Sequence, residues 1–227
     1  VATAAFIGSM AGSFVTLTKK NANYSDLLSK MSGGGEATSQ IVSLFSVIVG
    51  ILIVCETANA ISSIAETEKK GILDVELASG TSRRRVVAAQ AVAGAVESAI
   101  LGAAGAATLA VAVGLSLDWE HGREIAWKTA TQWPACACLA GVGCLLYALS
   151  RKLTAGVWAL VGWSFALSWF GKLLELPEWA SKTTLLGWSF SPSDTERLPQ
   201  ALGLLAVGLA ASAFATAACR RRDILAS

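Results

Sequence analysis

Two carboxylates lie within long apolar runs of the sequence, where ionisable groups are rare. Glu97 follows Arg85 by twelve residues, which in a helix is about 18 Å and well inside a hydrocarbon core about 30 Å thick. An ionisable group at that depth is a candidate for contacting a substrate or relaying protons. We predict that Glu97 is protonated or hydrogen-bonded to Ser98 or Thr108, and that it faces the helix bundle or a substrate path. Glu56, near the end of another apolar run, is a second candidate, although its side chain could extend toward water.

The other residues that could carry chemistry form no recognisable catalytic or metal-binding set. The sequence has a single histidine, His121, in a polar stretch, and it has no CxxC pair. Cysteines within apolar helices ordinarily serve as small packing groups. The sequence also contains no GxxxxGK[ST] phosphate-binding loop. We therefore expect neither a metal site nor ATP hydrolysis in this chain. The five cysteines lie in or beside apolar runs and are Cys55, Cys136, Cys138, Cys144 and Cys219.

The composition is that of an integral membrane protein. Of the 227 residues, 54% are hydrophobic and only 15% are charged, whereas a soluble domain has about 25% charged residues. The formal net charge of +2 is too small to favour nucleic-acid binding. The basic residues lie at the ends of apolar runs, as expected for a protein oriented in a lipid bilayer.

Six apolar segments predict an all-α, polytopic transmembrane bundle. Backbone groups in lipid have no water to bond, so each segment is most simply a helix. We interpret residues 1–227 as one transmembrane domain. The first run is slightly short for a span of about 20 residues, which suggests that the chain begins within a larger protein. The predicted spans cover residues 1–17, 41–60, 86–116, 133–150, 153–174 and 199–219.

A charged island, residues 66–85, lies between the second and third spans. It carries nine formal charges in twenty residues, which is too many for lipid, so the island must face water. The pattern of residues 61–70 predicts a cytoplasmic extension of the second helix. The glycines and hydroxyl residues that follow predict a short helix over 72–78 bounded by two breaks, and we call residues 71–82 the elbow. The predicted breaks and caps are Gly71, Gly80 and either Thr81 or Ser82.

The basic residues predict the orientation of the chain. Ten of the 18 lysines and arginines lie in three compact segments: the island, the turn Arg151–Lys152 and the run Arg220–Arg222. Cytoplasmic segments of membrane proteins carry an excess of such residues. We therefore predict that these segments and the C-terminus are cytoplasmic in a multi-pass membrane protein, which the family resemblance given below implies is one of the bacterial inner membrane.

The island and several later segments resemble those of a known family. Residues 68–78, followed by Thr81-Ser82-Arg83-Arg84-Arg85, resemble the cytoplasmic motif of type-two ABC transporter permeases, in particular the bacterial branch described as exporters of polyketide antibiotics. The resemblance extends through residues 158–179 and 191–192 to 220–224, and thus covers nearly the whole chain. Four positions depart from the motif: Thr67, Ile72, Asp74 and Glu76.

The resemblance implies a mechanism. In this family two six-helix units form one pathway, often fused in a single polypeptide, and the chain would correspond to the second half. The segment 61–85 would act as a coupling helix that docks on a separate ATPase subunit and transmits its ATP-driven closure to the spans. ATP and Mg²⁺ would be bound by that subunit, and no cofactor by this chain. The residues expected to contact the ATPase are Glu68, Gly71, Asp74, Glu76, Leu77, Ala78, Ser82 and Arg83.

The resulting prediction is a permease unit that would move a hydrophobic or amphipathic compound, such as an antibiotic or another drug, outward. Its partners would be the ATPase, a second permease half or copy, the small hydrophobic substrate and the lipid bilayer. An ATP-independent membrane scaffold or immunity protein is the alternative, and co-purification with an ATPase would distinguish the two. An intramembrane enzyme is a further alternative, but Glu97 has no evident catalytic partner at its depth.

Overall fold

The protein is predominantly helical in the part of the chain that its computed structural model describes, residues 2–20, 37–78, 80–170, 184 and 198–225. No strand is present in these residues, so the predicted all-α fold is confirmed. The elements are α1 (Ala2–Ser9), α2 (Ala11–Lys20), α3 (Ala37–Lys69), α4 (Ile72–Ala78), α5 (Arg83–Ser116), α6 (Trp119–Ala130), α7 (Trp133–Leu149), a 3-10 helix (Arg151–Ala155), α8 (Gly156–Phe170) and α9 (Leu198–Leu225).

Several helices are long and apolar enough to cross a bilayer. A helix rises about 1.5 Å per residue, so α5 is about 51 Å long and exceeds a hydrocarbon core about 30 Å thick. The chain is therefore a multi-pass membrane protein, and part of α5 extends beyond the hydrocarbon core. Within the described residues, four stretches meet the criteria of length and composition: Ile41–Lys69, Arg83–Ser116, Trp119–Leu149 and Leu198–Cys219.

The helix boundaries differ from the predicted spans in several places. The first predicted span is two helices, because the N–H of Met10 bonds to the carbonyl of Ile7, three residues back, which interrupts the regular four-residue pattern. The second span continues as helix to Lys69, which confirms the predicted extension over residues 61–70, and the third helix starts at Arg83, before the apolar run and directly after the predicted caps. Hydropathy marks the part of a helix that suits lipid, whereas backbone hydrogen bonds continue beyond it. Residues 171–174 of the fifth predicted span lie outside the described residues.

The first of two compact units is held by close contacts of small and aromatic residues. The hydroxyl of Ser116 on α5 donates to the carbonyl of Gly8 on α1 at 3.2 Å, which requires the two backbones to approach closely. The rings of Phe14 and Phe45 meet edge to face, with centroids 5.9 Å apart, a favourable aromatic geometry. This unit comprises Val1–Ile53, Ala99–Trp133 and Trp163–Leu198.

The second compact unit has a core contributed by α3, α5, α7 and α9. Glycine permits the tightest crossing: a Cβ on Gly208 of α9 would lie 2.9 Å from the Cα of Cys138 on α7. Small residues thus let these helices pack backbone against backbone, as membrane helices often do. The unit comprises Val54–Ser98, Pro134–Gly162 and Pro199–Ser227. One of its buried clusters consists of Ile64, Val87, Ala91, Cys144, Tyr147, Ala148, Ala215 and Cys219.

Candidate functional site

The elbow is a short helix between two glycines with left-handed backbones. Gly71 has a φ of 74° and Gly80 a φ of 91°, values that a side chain with a Cβ adopts only with strain. Between them runs α4, and the N–H of Gly80 donates to the carbonyl of Leu77 at 3.1 Å, which satisfies one of the last carbonyls of the helix. Both breaks lie where the sequence predicts them, so the chain leaves one long helix and enters the next through two defined corners.

Ser82 caps the start of α5. Its hydroxyl oxygen accepts a hydrogen bond from the N–H of Arg85 at 3.3 Å, so of the two predicted caps Ser82 is the one that acts. Three arginines follow the cap, although the positive end of a helix dipole disfavours cations. Arg84 and Arg85 are exposed to solvent, whereas Arg83 is only half exposed.

Arg83 pairs with Glu68 across the base of the elbow. Nη1 of Arg83 lies 3.0 Å from Oε1 of Glu68, and the two side chains are 31% and 17% exposed. Glu68 belongs to the last turn of α3 and Arg83 to the first turn of α5. The ion pair therefore joins the two long helices at the point where the elbow leaves them.

Tyr147, near the end of α7, completes this cluster. Its side chain hydrogen-bonds to Glu68 and lies close enough to Arg83 to sense its charge, and the residue is 4% exposed. A further link lies deeper in the same unit, where Nε2 of Gln90 on α5 donates to the carbonyl of Ala60 on α3 at 2.7 Å. Tyr147 was not predicted from the sequence, because a single tyrosine near the end of an apolar run gives no signal of its partner.

The predicted docking residues differ in their surroundings. Glu68 and Arg83 turn toward each other. Ala78 and Ser82 are exposed and Leu77 is half-buried. Among the residues that the docking prediction left out, Leu73 is 2% exposed and fixes α4 to its unit, whereas Ile72 is 50% exposed. Gly71 forms one corner, and Asp74 and Glu76 lie on α4 with side chains outside the described part of the structure.

The two candidate intramembrane carboxylates lie on exposed helix faces. Glu97 on α5 and Glu56 on α3 are both exposed. The predicted hydrogen bonds from Glu97 to Ser98 or Thr108 are wrong. Those hydroxyls donate instead to the carbonyls of Ala95, at 2.9 Å, and of Ala104, at 2.7 Å, because hydroxyl residues within helices readily bond back to the preceding turn.

Comparison with known families identifies the chain. The family model described as multidrug efflux system permease Rv1217c, C-terminal domain, matches residues 1–220. The chain belongs to this permease family. The match confirms the resemblance to type-two ABC permeases and the prediction of a C-terminal half. No curated protein matches the permease chain.

A second polar cluster of the permease attaches α6 to α3. Nζ of Lys128 donates to the hydroxyl of Ser43 at 2.9 Å, and Nε2 of Gln132 donates to both the carbonyl and the hydroxyl of Ser46 at 3.2 Å. Gln132 is 2% exposed, and its amide lies so close to Gly50 that a side chain at that position would displace it. These hydrogen bonds were not predicted from the sequence. Ser43 and Ser46, three residues apart on one helix face, are the only local sign that a polar partner packs there.

Proposed function

We propose that the chain is the membrane-spanning permease unit of an ABC exporter, and that it moves a hydrophobic or amphipathic compound outward. The energy comes from a separate ATPase subunit that docks on the segment 61–85. The permease performs no covalent chemistry, and ATP and Mg²⁺ bind in the ATPase. The permease lies in the bacterial inner membrane with its C-terminus in the cytoplasm.

The elbow is the observation that carries this proposal. A soluble ATPase can act on membrane helices only through a segment that leaves the bilayer and is mechanically joined to those helices. α4 meets the second requirement, because defined corners join it to α3 and α5 and the side chain of Leu73 is buried at 2% exposure. Its exposed residues, including Ile72 at 50% exposure, give a partner subunit a surface to bind.

The proposed substrate class follows from the apolar character of the surfaces that could receive a substrate. In the first unit, a groove of about 620 Å³ lies between α1 and the C-terminal half of α5, within the range of small-molecule sites, about 300–1,000 Å³. Alanine, valine and leucine side chains line most of it, together with hydroxyl residues such as Ser9 and Thr108. Such a lining suits an apolar compound with a few hydrogen-bonding groups. A second permease half or copy completes the pathway.

Crosslinking from the elbow tests the ATPase partnership. A cysteine introduced by Asp74→Cys should crosslink to the ATPase subunit in inside-out vesicles, and the yield should change when ATP is added. The matched control is Glu120→Cys, an exposed position of α6, which should give no crosslink. Failure of Asp74→Cys to crosslink to any ATPase would contradict the docking assignment, and so would crosslinking from the control alone.

Glu97 is proposed as a polar contact site within the membrane for a group outside this chain. Its neighbours on the exposed face of α5 are apolar, with Val96 at 51% and Ile100 at 63% exposure. A charged carboxylate facing lipid alone is unfavourable by about 2.5 kcal/mol or more, so a substrate or the second permease half is the expected partner. Glu97→Gln should keep most of the transport, because it keeps the hydrogen-bonding groups. Glu97→Leu should lose it, and transport equal to the parent in drug-efflux assays of that variant would exclude a polar role.

A further inference from the structure

The ion pair Glu68–Arg83 differs in kind from its sequence neighbour Glu66–Lys70. The latter spans 3.8 Å on the surface of α3, with side chains 71% and 66% exposed. Exposed pairs of this type contribute little to stability. Glu68 and Arg83 lie 3.0 Å apart and are mostly shielded from water, so the removal of either partner leaves a charge without its counter-ion.

Three spanning helices meet at this pair. Glu68 lies in the last turn of α3 and Arg83 is the first residue of α5. Tyr147 of α7 hydrogen-bonds to Glu68. The elbow is attached through the buried side chain of Leu73 and through corners at Gly71 and Gly80, the residue type with the greatest backbone freedom. A force applied to α4 alone would be absorbed by rotation at these corners unless the two ends of the elbow were held together.

We propose that Glu68 and Arg83, supported by Tyr147, form a clamp that makes the elbow and the adjoining ends of α3 and α5 move as one body. Both are positioning residues that transmit the movement of the ATPase, and the surface that contacts the ATPase is left to α4. The inference rests on the proposed function. It also changes the role of these two residues from the docking contacts predicted from the sequence.

Charge reversal tests the clamp. The variants Glu68→Arg and Arg83→Glu are compared with the double exchange that carries both substitutions, in proteoliposomes containing the permease and its ATPase. Each single reversal should lower substrate transported per ATP hydrolysed at least about tenfold, the effect of losing a favourable coupled pair, while ATP hydrolysis and ATPase binding continue. The double exchange should recover transport to within about threefold of the parent. The control, Glu120→Lys at an exposed position of α6 outside the segment 61–85, should stay within about twofold.

The ratio of transport to ATP hydrolysis separates the clamp from other roles. Loss of ATPase binding in the single variants would show that Glu68 or Arg83 contacts the ATPase directly, and would overturn the clamp. Transport equal to the control, or no recovery in the double exchange, would also overturn it. If a reversal prevents folding, Glu68→Gln replaces it, since this variant keeps the shape and removes the charge, and the same ratio is measured. An ATPase that fails to bind the parent permease would instead refute the proposed function.

Discussion

Glu66 and Glu68 lie two residues apart at the end of α3 and have the same side chain, yet their surroundings differ. Glu66 is 71% exposed and reaches Lys70 at 3.8 Å. Glu68 is 17% exposed and bonds to Arg83 at 3.0 Å. An exposed ion pair contributes about 0–1 kcal/mol because water screens it and ordering two long side chains has an entropic cost. At the residue scale, burial and the identity of the partner therefore decide which charges of the island shape the elbow.

Asp118 leads to a prediction about how the stability of the folded protein changes in acid. It caps α6 by accepting a hydrogen bond from the N–H of His121 at 2.9 Å, and its carboxylate lies 2.8 Å from Nδ1 of the same residue. The backbone hydrogen bond from His121, followed by its side-chain hydrogen bond, lowers the pKa of Asp118. A lowered folded-state pKa adds stability above the unfolded pKa, about 3.9, and that stability is lost as pH falls through the folded value.

We therefore expect Asp118→Asn to unfold at a lower temperature than the parent near pH 7, and the difference to shrink progressively as the pH falls below about 4. Asparagine keeps an oxygen that can cap the helix, so the variant removes mainly the charge. Thermal unfolding in detergent across this pH range measures the difference. Glu120→Gln, at the neighbouring exposed position, serves as the control. A difference between Asp118→Asn and the parent that persists unchanged in acid would contradict the assignment.

At the scale of elements, the crossing of α7 and α9 gives a test with an internal control. A Cβ on Gly208 would lie 2.9 Å from the Cα of Cys138 and 3.0 Å from the carbonyl of Ala137. Both are backbone atoms, which cannot move without shifting the helix. Overpacking of this kind costs about 1–3 kcal/mol. Gly203, on the same helix, has no neighbouring atom within 4 Å of an added Cβ.

Gly208→Ala should therefore lower the unfolding temperature of the purified permease, whereas Gly203→Ala should leave it unchanged or raise it slightly. Alanine favours helix over glycine by about 0.8–1.0 kcal/mol, so without the clash both variants would gain stability. Thermal unfolding in detergent distinguishes these outcomes. Equal unfolding temperatures for the two variants would mean that the helices do not cross at Gly208.

The elements differ in how far local sequence determines them. Gly71 and Gly80 are local signals, because a backbone with positive φ needs glycine whatever packs around it, and the corners of the elbow were predicted correctly. The facing ends of α3 and α5 were likewise predicted from local signals, Gly71 after the helical extension and a hydroxyl cap before Arg83, although apolar character alone ends before these helices do. Contacts between helices, such as Tyr147 with Glu68 or Gln132 with Ser46, depend on which faces meet, and a single sequence carries no record of that pairing. The predicted bonds of Glu97 failed for a local reason instead, since the hydroxyls of Ser98 and Thr108 bond back to the preceding turn of α5.

At the scale of the whole molecule, large apolar surfaces are left uncovered. The span Leu198–Cys219 has only 22% of its most apolar window buried, compared with 61% for Trp119–Leu149. Leu209 and Phe214 on α9 are 72% and 68% exposed. Surfaces of this kind require lipid or another membrane helix beside them. The exposed face of α9 is consistent with the proposed pairing of the chain with a second permease half.

The orientation of the chain is the final prediction. α5 is longer than the hydrocarbon core is thick, so its two ends must lie on opposite sides of the membrane. The positive-inside rule assigns the island and the turn Arg151–Lys152 to the cytoplasm. Lys70→Cys and Arg151→Cys should therefore react with a membrane-impermeant maleimide only in inside-out vesicles. Glu120→Cys, on α6 just beyond the other end of α5, should react only in intact spheroplasts.

The parent protein controls for its own cysteines. Four of them, Cys136, Cys138, Cys144 and Cys219, are buried and Cys55 is half-buried, so the parent should label weakly from either side. Labelling of Lys70→Cys and Glu120→Cys from the same side would show that α5 does not cross the membrane. Labelling of all three variants from the opposite sides would invert the orientation. The elbow would then face away from the cytoplasm, where no ATP-driven subunit could reach it, and the proposed coupling to an ATPase would fail with it.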